Sequence, residues 1–342
     1  HIYELFEQLE EGSTFRPFFN VGHRGLPKQA HENSLSGIKK AMEVGATHVE
    51  LDAYVTKDDQ IYFMHDANIA RTTNGNGTLE NFTSEELEQF ELDVYKPNEK
   101  IPSIDDIIPA LKGTSTILVL EIKTEKAIFP SLLKEKLDEY DFYDQIVMIS
   151  FSTKALERVK NELPMIPTAY LGTVNEKTFN KNLTLLGRLN TGVDASLGSF
   201  SKEFNELYLR DRGFIGWYWT IDTIYDMRQK AIQNGIVGIT SNIADFFQKM
   251  IYEVKGNNIQ LEKELVFNKD MLVTLTATTY TGNEIEVEGK ITSYKEKGEG
   301  KHLVIASYKD EISKMTYYSN PFEILDGEKD IVVDPPVNPP VD

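Results

Sequence analysis

The amino-acid sequence predicts an α/β protein: a (β/α)8 TIM barrel with an inserted segment after the second strand, plus a small C-terminal all-β, sandwich-like domain. Short apolar, β-prone runs alternate with amphipathic helical patterns over about 235 residues, the length of one such barrel. One connection between two of these runs is far longer than a loop and a helix require. After about Lys255 the helical patterns give way to alternating β-type runs separated by Gly and Asn turns.

Eight apolar runs are the candidate barrel strands. They are Phe18–Gly22, His48–Tyr54, Ile117–Ile122, Ile146–Phe151, Thr168–Leu171, Gly192–Ala195, Ile215–Thr220 and Gly235–Thr240. Amphipathic stretches lie between several of them, at Ser34–Val44, Pro130–Tyr140, Thr153–Leu163 and Ile224–Asn234. An open, doubly wound sheet is the alternative, and it is less favoured because no Gly-rich dinucleotide-binding loop follows the first run.

The inserted segment, at about residues 55–115, separates the second barrel strand from the third. It begins with a hairpin-like piece at Thr56–His65 that turns at Lys57–Asp59. Asp66, the tripeptide Arg71–Thr73 and the turn Asn74–Gly77 follow. Excursions at the carboxyl end of a barrel strand usually hold active-site residues, so we expect part of a site here.

Four regions are expected along the chain. Residues 1–16 form a short amphipathic helical lead-in, residues 17–255 the barrel, and residues 256–328 a β-rich accessory domain. Residues 329–342 form a Pro-rich tail, whose natural state is extended and which we interpret as a linker. No run approaches the roughly 18 consecutive apolar residues of a membrane helix, so no transmembrane segment is expected in this chain.

Composition and charge narrow the class of function. Of the 342 residues, 40% are hydrophobic and 11% aromatic, which suffices for a large core and excludes a disordered chain. Lys and Arg total 36 against 54 Asp and Glu, a formal charge of −18. This balance argues against nucleic acid as a partner and against passive adhesion to anionic lipid. The chain has no Cys, which excludes disulfides, thiolate metal sites and Cys nucleophiles.

Chemically active side chains recur near the carboxyl ends of the predicted strands, the catalytic face of a barrel. Glu50 and Asp52 are two residues apart, so they point to the same face of a strand. Glu121 and Lys123 have the same spacing. The candidates in chain order are His23 and Arg24, Glu50 and Asp52, His65 and Asp66, Glu121 and Lys123, and Trp217 and Trp219.

The carboxylates of Glu50, Asp52 and Glu121 are hard oxygen ligands, which favour Ca²⁺ or Mg²⁺ over zinc. With a divalent cation, Arg24 and Lys123, the charges sum to about +1, which suits a singly charged phosphodiester. The histidines are not needed as ligands and are free for proton transfer. One carboxylate pair alone is most often a solvated strand end, but a buried Glu-x-Asp is harder to explain that way because unpaired buried charge is costly.

The ordered motifs resemble those of the glycerophosphodiester phosphodiesterase family over about residues 17–250. The matching segments are His23–Gly25, Glu32–Ser34, Glu50–Asp52, His65-Asp66 with Arg71–Thr73, Glu121–Lys123, Ser150-Phe151, and Trp219-Thr220 followed by Gly238–Thr240. The resemblance implies a TIM barrel whose second histidine lies on an inserted segment. The chain departs from the family pattern at His31, where the family usually has proline, and at Ser241-Asn242, where it usually has aspartate.

The resemblance also implies roles for individual residues. It implies that His23 is the general base and His65 the general acid. A core position for Trp219 is an equally favoured alternative to substrate contact, and for Trp217 it is the favoured one. The resemblance also implies that Arg24 and Lys123 bind the phosphoryl group and take part in catalysis, and that Glu50, Asp52 and Glu121 bind the cation. Trp219 would pack against glycerol or a nearby wall. Glu32, Asn33 and Asp66 would hold these residues in position without touching the substrate.

The leading interpretation is a metal-dependent enzyme of lipid and glycerol metabolism that hydrolyses glycerophosphodiesters to sn-glycerol 3-phosphate and an alcohol, through a cyclic phosphate. The expected partners are small-molecule glycerophosphodiesters or a glycerol-phosphate polymer. The alternatives are a phospholipase D-like or phosphatidylinositol-specific lipase on the same barrel, and a non-catalytic surface-binding protein. The β-rich domain and the Pro-rich tail favour an extracellular or cell-surface enzyme of a bacterium, with a cytoplasmic location as the alternative.

Overall fold

The computed structural model describes residues 19–174, 179–197, 199, 201–209, 216–226, 236–262 and 271–327. The chain divides into two compact units after Gln248. The expected lead-in at residues 1–16 and the expected tail at residues 329–342 lie outside the described residues.

The strands are β1 (Phe19–Gly22), β2 (His48–Val55), β3 (Ile61–Phe63), β4 (Glu91–Leu92), β5 (Glu99–Lys100), β6 (Ile117–Ile122), β7 (Ile146–Ser150), β8 (Thr168–Tyr170), β9 (Thr191–Ser196), β10 (Gly216–Trp219), β11 (Gly238–Ser241), β12 (Ile251–Lys255), β13 (Ile259–Gln260), β14 (Leu272–Thr279), β15 (Glu284–Gly298), β16 (Lys301–Lys309), β17 (Thr316–Tyr318) and β18 (Phe322–Leu325). The α-helices are α1 (Leu35–Glu43), α2 (Ser84–Leu87), α3 (Ile104–Leu111), α4 (Phe129–Tyr140), α5 (Thr153–Glu162), α6 (Phe179–Leu189), α7 (Lys202–Phe204), α8 (Ile224–Asp226) and α9 (Ala244–Phe247).

The first unit is a closed parallel barrel. Within the described residues, eight parallel strands pair in the order β1, β2, β6, β7, β8, β9, β10 and β11, and β11 returns to β1. Each strand corresponds to one of the predicted apolar runs, so the predicted (β/α)8 TIM barrel is confirmed. Every residue of β2 is buried, because one face lines the barrel interior and the other packs under the outer layer.

Amphipathic helices cover the outside of the barrel. At the start of α1, Ser34 Oγ accepts the backbone N–H of Gly37 at 2.9 Å, which satisfies one free donor of the first turn. The predicted helices at Ser34–Val44, Pro130–Tyr140 and Thr153–Leu163 are confirmed to within one residue at each end. Of the predicted helix at Ile224–Asn234, the described part is α8. None of the described helices is long and apolar enough to cross a membrane.

The inserted segment folds against the end of β2. The backbone N–H of Thr56 donates to Gln60 O at 2.8 Å, Asp59 has a left-handed φ of 61°, and β3 pairs antiparallel with β2. The segment has its own apolar cluster, which fixes the residues that follow β3 at the carboxyl end of the barrel. The cluster consists of Tyr54, Tyr62, Met64, Ile69, Leu79, Leu87, Leu92 and Ile101.

The second unit is all-β, as predicted, and its strands form one sheet rather than two stacked sheets. Within residues 249–262 and 271–327, seven strands pair in the order β12, β14, β15, β16, β18 and β13, with β17 on the same edge of β16 as β18. Register shifts in β15 at Ile291/Ser293 and Glu296/Gly298 bend this long strand, so one curled sheet can enclose its own core. Because β12 pairs with β14, the boundary lies after Gln248 and not near residue 255.

Candidate active site

The carboxyl ends of the barrel strands surround a cavity of about 220 Å³. Side chains from β2, β6, β10, the inserted segment and the residues that follow β1 meet there, so the closed barrel brings together groups that are far apart in the sequence. Seven of the residues singled out from the sequence line the cavity: His23, Arg24, Glu50, His65, Glu121, Lys123 and Trp219.

An acidic cluster, formed by Glu50, Asp52 and Glu121, lies beside the cavity. Glu50 and Asp52 share one face of β2, and Asp52 is paired with Glu121 in the parallel ladder between β2 and β6. One carboxylate oxygen from each residue lies within 4.8 Å of the other two. All three residues are buried. The spacing read from the sequence therefore produces one compact group of oxygen ligands.

Two of the three carboxylates are hydrogen-bonded through one oxygen only, and their other oxygen makes no hydrogen bond within the described residues. Glu50 Oε2 accepts the backbone N–H of Arg24 at 2.9 Å. Asp52 Oδ2 accepts Asn33 Nδ2 at 2.9 Å, and the backbone N–H of Asp52 donates to Asn33 Oδ1 at 2.9 Å. Glu50 Oε1 and Asp52 Oδ1 are buried and have no hydrogen-bond partner among the described residues. Two such acceptors side by side are costly unless a cation meets them.

Burial and mutual charge repulsion raise the pKa of two carboxyls of the acidic cluster, Glu50 and Glu121. Burial, followed by the charges of Asp52 and Glu121, raises the pKa of Glu50 well above its usual range. Burial and the charge of Asp52 raise the pKa of Glu121 to about 7. A bound divalent cation would favour the ionised carboxylates and relieve this repulsion. The all-oxygen donor set therefore fits a hard cation such as Ca²⁺ or Mg²⁺.

Two cationic side chains flank the acidic cluster. Lys123 Nζ lies 3.1 Å from Glu121 Oε1 and 3.6 Å from Asp52 Oδ1. Burial lowers the pKa of Lys123, but these two carboxylates outweigh it, so the pKa of Lys123 lies above its usual value. Arg24 Nε lies 3.6 Å from Asp52 Oδ2 and makes no hydrogen bond in the described part of the chain. Both side chains line the cavity and can donate to an anion there.

His23 is held by an amide. Its Nδ1 lies 2.7 Å from Asn242 Oδ1, and its Nε2 lies 3.9 Å from Glu50 Oε2. An amide oxygen only accepts hydrogen bonds, so His23 Nδ1 has the hydrogen and Nε2 has the free lone pair. Burial and the neighbouring Arg24 lower the pKa of His23 below its usual value. A neutral imidazole with a free Nε2 is suited to accept a proton.

His65 is held by a carboxylate, since its Nδ1 lies 2.6 Å from Asp66 Oδ1. Asp66 Oδ2 accepts Arg71 Nε, and Arg71 also donates to both oxygens of Glu32, through Nη1 at 3.0 Å and Nη2 at 2.6 Å. Glu32 Oε1 accepts Arg24 Nη1 at 3.2 Å as well. This ion network of Asp66, Arg71, Glu32 and Arg24 joins the segment of His65 to the end of β1.

The ion network keeps its two acids ionised. Burial opposes ionisation of Glu32 and Asp66, but the hydrogen bonds from Arg71 outweigh it, and the pKa values of both carboxyls fall below their usual values. An anionic partner at Nδ1 offsets the positive charge of an imidazole that has hydrogens on both nitrogens. The surroundings of His65 therefore suit a proton donor, whereas those of His23 suit a proton acceptor.

One wall of the cavity is apolar. Trp219 lies edge-on to Phe151 with ring centroids 5.6 Å apart, and Trp219 Nε1 donates to the backbone carbonyl of Asp194 at 3.3 Å. Trp219 thus lines the cavity. Trp217, on the same strand, packs against the apolar cluster of the barrel interior and does not line the cavity. The other large apolar residues of the wall are Ile149 and Leu171.

Several polar residues at the site were given no role from the sequence. Asp194 and Thr240 line the cavity, and burial raises the pKa of Asp194 well above its usual range. An acidic residue inside an apolar run is the signal that identified Glu50, so Asp194 could have been found in the same way. Asn242 and Arg71 lie in segments named from the sequence, but their hydrogen bonds to His23 and Glu32 could not be predicted, because these partners are distant along the chain.

Residues 23–246 match the sequence model of a protein family described as the glycerophosphoryl diester phosphodiesterase family. A glycerophosphodiester phosphodiesterase of Caldanaerobacter subterraneus subsp. tengcongensis is 30% identical over 158 residues, which cover 44% of this chain and 65% of that relative. A glycerophosphodiester phosphodiesterase of Bacillus subtilis is 24% identical over 264 residues, which cover 70% of this chain and 89% of that relative.

Solved structures have the same barrel fold. A phosphodiesterase of Oleispira antarctica, in complex with the product sn-glycerol-3-phosphate, is similar with a TM-score of 0.58 and 21% identity, over 66% of this chain and 93% of that chain. A glycerophosphodiester phosphodiesterase of Agrobacterium tumefaciens is similar with a TM-score of 0.57 and 18% identity, over 67% of this chain and 97% of that chain.

Proposed function

Because the chain belongs to the glycerophosphoryl diester phosphodiesterase family and is an enzyme of that class, we propose that it hydrolyses glycerophosphodiesters to sn-glycerol 3-phosphate and an alcohol. The reaction uses a divalent cation, His23 as general base and His65 as general acid. The main support is that the two histidines line one cavity with different partners at Nδ1, an amide for His23 and a carboxylate for His65.

The acidic cluster would hold the cation, and Glu50 Oε1 and Asp52 Oδ1 are the oxygens best placed to meet it, because they make no hydrogen bond within the described chain. Carboxylate ligands favour Ca²⁺ or Mg²⁺. When bound, the cation supplies positive charge beside the phosphodiester and offsets the charge of the three carboxylates.

The nucleophile of the first step belongs to the substrate. A glycerophosphodiester has a hydroxyl next to the esterified carbon, and His23 Nε2 accepts its proton as the oxygen attacks phosphorus. Attack within one molecule is favoured by proximity and needs no positioned water. The bond from phosphorus to the alcohol oxygen breaks, and a cyclic glycerol phosphate forms.

The leaving alcohol takes its proton from His65. Asp66 occupies Nδ1 of the ring, so Nε2 is the nitrogen left to donate. In the second step the roles reverse: His65 accepts a proton from the water that attacks phosphorus, and His23 returns its proton to the glycerol oxygen as the ring opens.

Arg24 and Lys123 bind the phosphoryl oxygens, on which negative charge accumulates in both steps. Donors that are already held in place stabilise such charge strongly, because they need no reorganisation as the reaction proceeds. Arg24 Nε has no hydrogen-bond partner in the described residues, and Lys123 is anchored by Glu121 at 3.1 Å. The apolar wall formed by Trp219 and Phe151 gives the glycerol carbons a surface to pack against.

Deoxy substrates test the cyclic route. Choline release from glycerophosphocholine is compared with release from the analogue that lacks the adjacent hydroxyl, at saturating Ca²⁺ and at saturating Mg²⁺. We expect turnover of the first substrate and none of the second. Equal turnover would mean that water attacks directly, and no turnover of either substrate with either cation would contradict the assigned activity.

A further inference from the structure

A carboxylate lies behind His23, outside the cavity, and the proposed reaction does not use it. Asp222 follows β10 and Asn242 follows β11, so the two side chains meet at the carboxyl ends of neighbouring strands. Asp222 Oδ1 accepts the backbone N–H of Asn242 at 2.9 Å, and Asp222 Oδ2 accepts Asn242 Nδ2 at 2.6 Å. Asn242 Oδ1 in turn lies 2.7 Å from His23 Nδ1.

The carboxylate of Asp222 fixes which end of the Asn242 amide faces His23. A carboxylate only accepts, so it must meet the donor end of the amide, and the amide oxygen then points away from it. The Ser241 hydroxyl also donates to Asp222 Oδ1, at 3.3 Å, which holds the carboxylate from a third side. Reversing the Asn242 amide would place two acceptors against each other at Asp222.

We propose that Asp222 is a positioning residue that sets the tautomer of His23 through Asn242. The proposal rests on the proposed function in so far as His23 is the general base. With the amide oxygen facing it, His23 has its hydrogen on Nδ1 and a free lone pair on Nε2. With the amide reversed, Asn242 Nδ2 would donate to Nδ1, the hydrogen would move to Nε2, and no lone pair would remain for the substrate.

The amide also keeps the anion away from the base. At His65 a carboxylate touches the ring directly, whereas at His23 the charge of Asp222 is one residue removed and the contact at Nδ1 is neutral. Neither Asp222 nor Asn242 lines the cavity. Substitution of Asp222 should therefore change kcat and leave KM almost unaltered, because substrate contacts stay in place.

The test is the variant Asp222→Asn in the full chain, with ¹⁵N-labelled histidine. The amide at position 222 has only one acceptor oxygen, so its two ends cannot both accept hydrogen bonds from the backbone N–H and Nδ2 of Asn242. Rotation of the Asn242 amide removes this conflict. At about pH 8, where the imidazole is neutral, we expect the ring nitrogens of His23 to change from the Nδ1–H tautomer to a mixture with Nε2–H. The kcat for glycerophosphocholine should fall roughly 10- to 100-fold, with KM within about twofold of the original.

Two further variants serve as controls. Thr223→Val removes the hydrogen bonds between Thr223 and Asp226 next to Asp222 and should change neither the tautomer nor kcat. The double variant Asp222→Asn/Asn242→Asp reverses the pair, so that the carboxylate accepts from His23 and from the new amide at position 222. It should restore the Nδ1–H tautomer. If Asp222→Asn does not fold, Asn242→Leu removes the acceptor at Nδ1 and should give the same mixture of tautomers.

An unchanged tautomer in Asp222→Asn, or an Nδ1–H tautomer that the reversed pair does not restore, would overturn the proposal. The tautomer is measured on the ring nitrogens and does not depend on turnover. If His23→Ala remains active, the proposed role of His23 as base fails while the effect of Asp222 on the tautomer stands. If His23→Ala is inactive and Asp222→Asn behaves like the unsubstituted enzyme, the positioning proposal alone fails.

Discussion

His23 and His65 line the same cavity, but His23 Nδ1 meets an amide oxygen at 2.7 Å and His65 Nδ1 meets a carboxylate oxygen at 2.6 Å. A neutral partner suits a ring that takes up a proton, and an anionic partner suits a ring that gives one away. The two histidines should therefore respond differently to the acidity of the leaving group.

The variant His65→Ala should lose turnover of glycerophosphocholine by roughly 10²- to 10⁴-fold, the usual contribution of one proton-transfer group. The nitrophenyl ester of glycerol phosphate should restore most of that loss, because nitrophenolate leaves without a proton. His23→Ala should be impaired on both substrates. The measurement is steady-state kinetics of both variants on the two esters. Equal losses for both variants on both esters would refute the assignment of His23 as base and His65 as acid.

Removal of the cation should abolish turnover, and Ca²⁺ or Mg²⁺ should restore it. Glu50→Gln and Asp52→Asn should each weaken cation binding in calorimetry while the circular dichroism spectrum stays unchanged, since each removes charge from an oxygen that makes no hydrogen bond within the described chain. Glu157→Gln, in an exposed ion pair with Arg188, is the matched control and should bind as before. Full activity after exhaustive chelation, with no metal in elemental analysis, would contradict the assignment.

Stabilisation by the cation should depend on pH. Burial, with Asp52, raises the pKa of Glu121 from 4.5 to about 7, so without a cation the folded protein prefers the protonated carboxyl. The stabilising contribution of Glu121 is then complete below about pH 4.5 and is lost as the pH rises through about 7. The rise in Tm on adding Ca²⁺ should accordingly be larger at about pH 8 than at about pH 5. In Glu121→Gln the rise should depend less on pH; an equally steep dependence there would point to another group.

Arg71 should matter for the general acid more than for the fold. Arg71→Ala removes a donor from Asp66 and two from Glu32, so turnover of glycerophosphocholine should fall roughly tenfold while the nitrophenyl ester is affected much less. Arg71→Lys should recover only part of the loss, because an ammonium group cannot reproduce the planar set of paired N–H donors of a guanidinium. Lys100→Ala, which breaks an exposed ion pair with Glu91 in the same segment, is the control. Equal losses on both esters would indicate damage to the inserted segment instead.

The second unit should be dispensable for small substrates. No described residue after Gln248 lines the cavity, so a chain that ends there should hydrolyse glycerophosphocholine at an unchanged rate. Turnover of a glycerol-phosphate polymer is measured alongside. A loss confined to the polymer would identify the β-rich unit as a targeting element, and a loss on both substrates with a folded barrel would mean that the unit completes the site.

Much of the barrel and its site was predictable because both depend on short-range patterns. Near-continuous apolar runs identify parallel strands, and two acids at i and i+2 on such a run must share a face, as Glu50 and Asp52 do. The curled sheet of the second unit was less predictable, since alternation indicates strands but bulges such as that at Ile291/Ser293 decide whether they form one sheet or two.

The parts of the site that could not be predicted are long-range hydrogen bonds. His23 and Asn242 are 219 residues apart, and Arg71 and Glu32 are 39 apart. A polar residue in a loop has no pattern that reveals a distant partner, because its contacts are set by how the strands pair rather than by its neighbours in sequence. The amide beside His23 became visible only when the barrel was closed, whereas Asp66, next to His65 in the sequence, was already a candidate.

The hairpin of β2 and β3 places Glu50, Asp52 and His65 on one continuous piece of chain, and the backbone N–H of Met64 donates to Asp52 O at 2.9 Å just before His65. His23, in contrast, is held by the pairing of β1 with β2 and β11, where the barrel closes. Gentle heating or mild denaturant that loosens this closure should displace the base while two cation ligands and the acid keep their spacing. Catalytic activity should then be lost at a lower temperature than cation binding. The partly loosened enzyme would still bind the cation after substrate turnover had stopped.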